Sequence, residues 1–174
     1  MNKRIPTFLS FGTPHNDLQL EYLKTLTRYL NRRGIAAETL GRTFWSIEHP
    51  LKPVRAKMQS VYGVVVLAME RFHSKGGIYK ESSRCRKVVR DQYFATVWTH
   101  IEAAMAYQLE LPLLILKDEK LVAEGMFDPG IHEWIVVRIN SENPHEIRID
   151  PIKGFIDSWI EAVRRCFYAR TTNR

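Results

Sequence analysis

Cysteine is scarce: Cys85 and Cys166 are the only two in 174 residues, far apart and without CxxC spacing. That excludes a disulfide framework and a thiolate zinc centre. The histidines, His15, His49, His73, His100, His132 and His145, are scattered with no HExxH or HxH pairing, so no metal site is expected. No apolar run nears the roughly 20 residues of a membrane span, and no signal-like apolar segment follows Lys3-Arg4. A cytoplasmic protein without membrane contact is expected. Also missing are the GxxxxGK[ST] phosphate loop and the GxGxxG fingerprint. Ser46, Ser82 and Ser83 lack a nucleophile-elbow context.

What remains is an ordinary globular composition, 45% apolar and 26% charged, whose length suits one domain over residues 1–174. The net charge of +7 is uneven. Arg71, Lys75, Lys80, Arg84, Arg86, Lys87 and Arg90 face a single acid, Glu81, between positions 71 and 90. Such an excess attracts any polyanion, phosphorylated small molecules included. Nucleic acid is the lesser expectation.

Thr7 to Phe11 is an apolar run that fits a buried first strand. Gly12 to Asp17 forms a turn in which Asn16 or Asp17 can cap a helix. Tyr22, Leu23, Leu26, Tyr29 and Leu30 then recur at helical spacing until Gly34. Ile35 to Leu40 reads as a second strand, which completes a βαβ unit. A helix over Pro50 to Gln59 leads to Val61–Ala68, a continuous β-branched strand buried on both faces. Residues 69–94 read as a long basic insertion without a clear element. A helix follows it, containing Glu102 and ending near Leu109.

Leu111 to Leu116 and Trp134 to Ile139 supply two further strands, the last at an edge, and residues 154–170 a closing amphipathic helix. The pattern predicts an α/β three-layer sandwich around a five-stranded, mainly parallel sheet of flavodoxin-like or TIR-like order. Ligands of such sheets bind beyond the carboxyl ends of the strands. The rim loops there are 10–16, 41–49, 70–94 and 117–131.

Glu102 lies one helical turn after Trp98, so a carboxylate and an indole share a helix face at that rim. A carboxylate early in a helix is also favourable with the helix dipole alone. The amides of Phe11-Gly12-Thr13-Pro14 can approach a phosphate or ribose, and Arg42 and Arg71 follow strand ends where a diphosphate could meet a guanidinium. One carboxylate, an aromatic wall and a few arginines suit cleavage of an N-glycosidic bond. Its oxocarbenium-like transition state needs negative charge near C1′ and no metal.

The first strand, the helix to Arg33, Gly34-Ile35 and the pattern Trp98-x-x-x-Glu102 together resemble TIR-like domains. The run Glu102 to Tyr107 followed by Leu111-Pro112-Leu113-Leu114 resembles nucleoside 2-deoxyribosyltransferases and their hydrolase relatives. Both resemblances imply a catalytic glutamate, which falls on Glu102. The TIR-like resemblance further implies NAD⁺ as the favoured substrate rather than a bound cofactor. Ser10, Phe11, Gly12, Thr13, Arg42, Arg71 and Trp98 would be the substrate-binding residues. Self-association and a role in bacterial antiviral defence are implied as well. Residues 41–49 lack a clear TIR BB-loop signature, and the serine-rich phosphate loop of the transferases is not evident. A nucleoside or deoxynucleotide N-glycosidase or transferase, and a non-catalytic signalling or nucleotide-binding module, therefore stand as alternatives.

Overall fold

The computed structural model describes residues 4–39, 51–130 and 134–172. Apolar, β-branched segments build the centre of the fold. β1 (Ile5–Phe11), β2 (Ile35–Glu38), β3 (Val64–Ala68), β6 (Leu113–Asp118) and β7 (Ile135–Ile139) form one sheet in the order β2-β1-β3-β6-β7. Every pairing in it is parallel. This is the flavodoxin-like order, and the direction of winding reverses at the β1/β3 junction. β3 is central and buried at all five positions, as its unbroken valines require. β7 occupies an edge.

Side chains alternate between the two faces of the sheet, and helices cover both. Leu9, Leu67, Leu114 and Leu116 pack with α1 (Asp17–Arg32) and α4 (Ile152–Thr172), through Tyr22, Leu26, Ile156 and Ile160. Phe8, Val64, Val66 and Ile115 face the other way, toward α2 (Leu51–Gln59) and α3 (Val97–Gln108), through Val54, Met58, Ala103 and Ala106. Local signals behave as expected. Asn16 is the N-cap of α1, its Oδ1 accepting from Gln19 N at 2.8 Å. Gly34 follows the helix with φ +82°, a left-handed conformation in which glycine is favoured. Gly63 admits the closing helix, since a Cβ there would lie 2.5 Å from Val163 Cγ2.

Two sequence expectations are corrected. Residues 69–94 are not an element-free loop: β4 (Phe72–Tyr79) and β5 (Lys87–Phe94) pair antiparallel as a separate two-stranded ribbon. The fourth strand of the main sheet also extends past Leu116. Lys117 and Asp118, read as the start of a polar loop, are buried strand residues. Asp118 is retained there because its carboxylate accepts from Lys120 N at 2.9 Å, from Ser141 N at 3.2 Å and from the Ser141 hydroxyl. Among the described residues no helix is long and apolar enough to cross a membrane.

Candidate active site

Strand parity brings the key residues together. Phe8 lies on the α3 face of β1, so Ser10, two residues on, projects from that face as well. α3 starts at the carboxyl rim of the sheet, where Thr96 caps it by accepting from Trp98 N at 3.4 Å. Thr99, Ala103 and Ala106 form its buried stripe, and the two alanines are small enough to seat the helix closely on the strands. Glu102 lies beside that stripe, on the flank toward β1. The buried Ser10 hydroxyl donates directly to Glu102 Oε2 across 92 residues of sequence.

This contact lies on β1 beside the strand-order reversal. Gly12 closes the corner, since a Cβ there would already touch Thr96 Cγ2 at 3.4 Å. Glu102 is half-buried, and burial pushes its carboxyl above the usual range, while the hydroxyl of Ser10 opposes that shift. No cation forms an ion pair with it among the described residues. A partly desolvated carboxylate without a counter-ion is costly to hold unless positive charge arrives with a ligand or during a reaction.

The other expected residues sort clearly. Trp98 is 45% exposed one turn before Glu102, so its ring is available to a ligand. Thr13 is exposed on the turn after β1. Phe11 packs with the cluster on the α1/α4 face, which turns it away from Ser10 and Glu102. Arg71 is exposed at the foot of the ribbon, where its backbone N–H donates to Phe94 O at 2.9 Å. Its guanidinium bonds to neither Ser10 nor Glu102. Arg42 lies outside the described residues. No group of three or more metal-ligating side chains occurs among the described residues.

His100 sits on the opposite flank of α3, its ring 3.8 Å from that of Phe127, and burial lowers its pKa. With Phe72, Phe94, Val97 and Glu124 these rings line a cavity of about 330 Å³ that sequence reading did not anticipate. Its walls come from three segments whose proximity no local pattern announces. A wider cleft of about 670 Å³, between Tyr107, Leu113, Trp134, Phe155 and Trp159, lies at the amino ends of β6 and β7. That is the wrong end of the sheet for switch-point chemistry.

No family model matches the chain. No curated protein matches it. Among solved structures it is similar to the CMP N-glycosidase BcmB of Clostridium botulinum, with 13% identity and TM-score 0.52 over 83% of this chain and 97% of that one. It is also similar to the TIR domains of the activated Roq1 resistosome, at 13% identity and TM-score 0.40, with 93% and 82% covered. An XylFII molecule aligns at 16% identity and TM-score 0.38 over 77% of this chain and 37% of that one. An N-glycosidase and a TIR domain thus stand among the structural neighbours. The N-glycosidase likeness shows a shared fold, and the two looser alignments add no argument to it.

Proposed function

We propose that this protein is a nucleotide N-glycosidase in which Glu102 acts at the anomeric carbon of the sugar. The observation that carries the reading is the contact between Ser10 and Glu102: a half-buried carboxylate at the switch point, oriented by a buried hydroxyl and without an ion pair among the described residues. As the bond from C1′ to the base nitrogen breaks, its electron pair leaves with the base and positive charge grows on the sugar. A carboxylate not already neutralised binds that developing charge more strongly than the neutral ground state, which is the condition for catalysis. Glu102 would stabilise the cation by charge, or capture it as a glycosyl ester. Water then supplies the oxygen at C1′, and its proton passes to the base or to bulk solvent. Trp98 would stack the base, Ser10, Gly12 and Thr13 would bound the ribose, and Arg42 and Arg71 would meet phosphate.

A nucleoside monophosphate is the first substrate to supply, because the N-glycosidase BcmB shares this fold over 97% of its own length. NAD⁺ is the second reading. Nicotinamide leaves as a neutral base and needs no proton donor, and no imidazole bonds to Ser10 or Glu102 among the described residues. A homo-oligomeric working form and a role in bacterial antiviral defence extend the proposal through the sequence resemblance alone.

The test is a product assay at high protein concentration, offering CMP, the other monophosphates and NAD⁺ separately. Release of a free base with ribose 5-phosphate supports the first reading, and release of nicotinamide with ADP-ribose the second. Intact substrate throughout overturns both.

The hydroxyl of Ser10 gives a pH prediction. Glu102 must be ionised to act, so turnover falls as pH drops through its raised pKa. Ser10 favours the ionised form, and Ser10→Ala removes that contribution. The acid limb of kcat/KM is therefore expected to move to higher pH in Ser10→Ala. A limb that stays in place, or moves lower, excludes Ser10 from this role.

A further inference from the structure

The ribbon β4–β5, with Arg71 just before it, holds most of the chain's net charge. Seven cations against Glu81 and Asp91 leave a net +5 between residues 71 and 94, out of +7 for the whole sequence. Within the ribbon, the pair formed is His73 with Asp91, at 3.2 Å. Arg71, Lys75, Lys80, Arg84, Arg86, Lys87 and Arg90 have no carboxylate within ion-pair distance among the described residues. The ribbon is anchored near its foot, where Tyr93 bridges to Leu121 and its carbonyl accepts from Val122 N. Every residue from 75 to 88 is exposed.

A second observation is independent of charge. Gly76 and Gly77 stand in mid-strand opposite Arg90 and Val89. Neither has a left-handed φ, and a Cβ on either would meet its nearest neighbour at 3.8 Å, an ordinary contact. Among the described residues neither a close contact nor a left-handed φ requires glycine there, although glycine weakens a strand. Such a glycine often marks a place where another molecule approaches closely.

We propose that β4–β5 is a nucleic-acid-binding ribbon, with its lysines and arginines on phosphates and Gly76–Gly77 admitting the sugar-phosphate backbone beside Arg90. A two-stranded ribbon has the dimensions to enter a duplex groove. The exposed Tyr79, with Lys80 Nζ 5.2 Å from its ring centroid, offers a stacking surface. A second copy of the chain is a poor occupant, because the remainder of the molecule is itself slightly basic. A bilayer is another, because the tip from Lys80 to Arg86 has no large apolar side chain to insert.

The experiment is fluorescence anisotropy on the full chain with a labelled DNA duplex of about 20 base pairs and a single-stranded RNA of about that length, between about 50 and 200 mM salt. Affinity is expected to fall by about a hundredfold or more across that range. Replacing Arg84, Arg86 and Arg90 together by Gln should weaken binding more than about tenfold and flatten the salt slope by roughly 3. Replacing the exposed Lys24, Arg55 and Arg170 instead should leave the slope nearly unchanged. Gly76→Ala with Gly77→Ala should keep the thermal transition and lose affinity, which separates close approach from mere charge. The tighter of the DNA and RNA arms identifies the ligand. Three results overturn the proposal: binding to neither, equal losses in the two charge variants, or self-association through the ribbon without affinity for nucleic acid.

Discussion

Glu102→Gln is expected to abolish glycosidic turnover and, at the same time, to raise the melting temperature. The loss should reach about a thousandfold or more, because a neutral amide provides no charge at C1′ and cannot form a glycosyl ester. The gain in stability follows from burial. The glutamine is isosteric, its side-chain carbonyl can still accept from Ser10 Oγ, and a charge no longer has to be desolvated. An increase of about 1 kcal/mol corresponds to roughly 2–4 °C in a domain of this size.

The pH dependence makes the stability effect specific. A carboxyl whose pKa is raised by folding favours the folded state when protonated, and that contribution is lost as pH rises through the folded-state pKa. The variant and the wild type should therefore melt together near pH 4 and separate by pH 8, with the variant higher. Comparison of the two proteins isolates Glu102 from Glu146, whose carboxyl is also raised by burial. Activity lost with no change in melting at either pH would mean that Glu102 is not desolvated. Activity retained would remove it from the mechanism.

Much of the frame was legible because it depends on local signals. Asn16 and Gly34 mark the two ends of α1, and the valines of β3 leave no alternative to a strand buried on both faces. Trp98 and Glu102 could be assigned to one helix face by counting alone. The ribbon was not legible for a physical reason. A strand pair exposed on both faces has no buried face to impose alternation, and Gly76–Gly77 resembles a turn. Lys117 and Asp118 depart from the expected loop because polarity stands in for exposure only on average. Asp118 is buried where Ser141, 23 residues on, supplies its partners. The contact of Ser10 with Glu102 has no local signature either. It becomes visible only once β1 and α3 are seated against each other.

Two tryptophans turn that distinction into a prediction. Trp159 is 5% exposed on the closing helix, packed with Leu114 and Val163, and its Nε1–H donates to Pro112 O at 3.0 Å. Trp159→Ala opens a large void between α4 and the sheet, and such truncations cost about 3–5 kcal/mol. The Pro112 carbonyl is not orphaned by the change, because Val64 N also donates to it at 2.9 Å. The cost is therefore a packing cost, and it is a large share of the about 5–15 kcal/mol that holds a domain folded. The urea midpoint should drop sharply, with turnover lost only in proportion to the unfolded fraction. Trp98→Ala should do the reverse. Its ring is 45% exposed, so the midpoint should shift little, while KM for the nucleotide rises several-fold because stacked base contacts are lost. Equal destabilisation by the two variants would make Trp98 a structural residue and remove the aromatic wall from the proposed site.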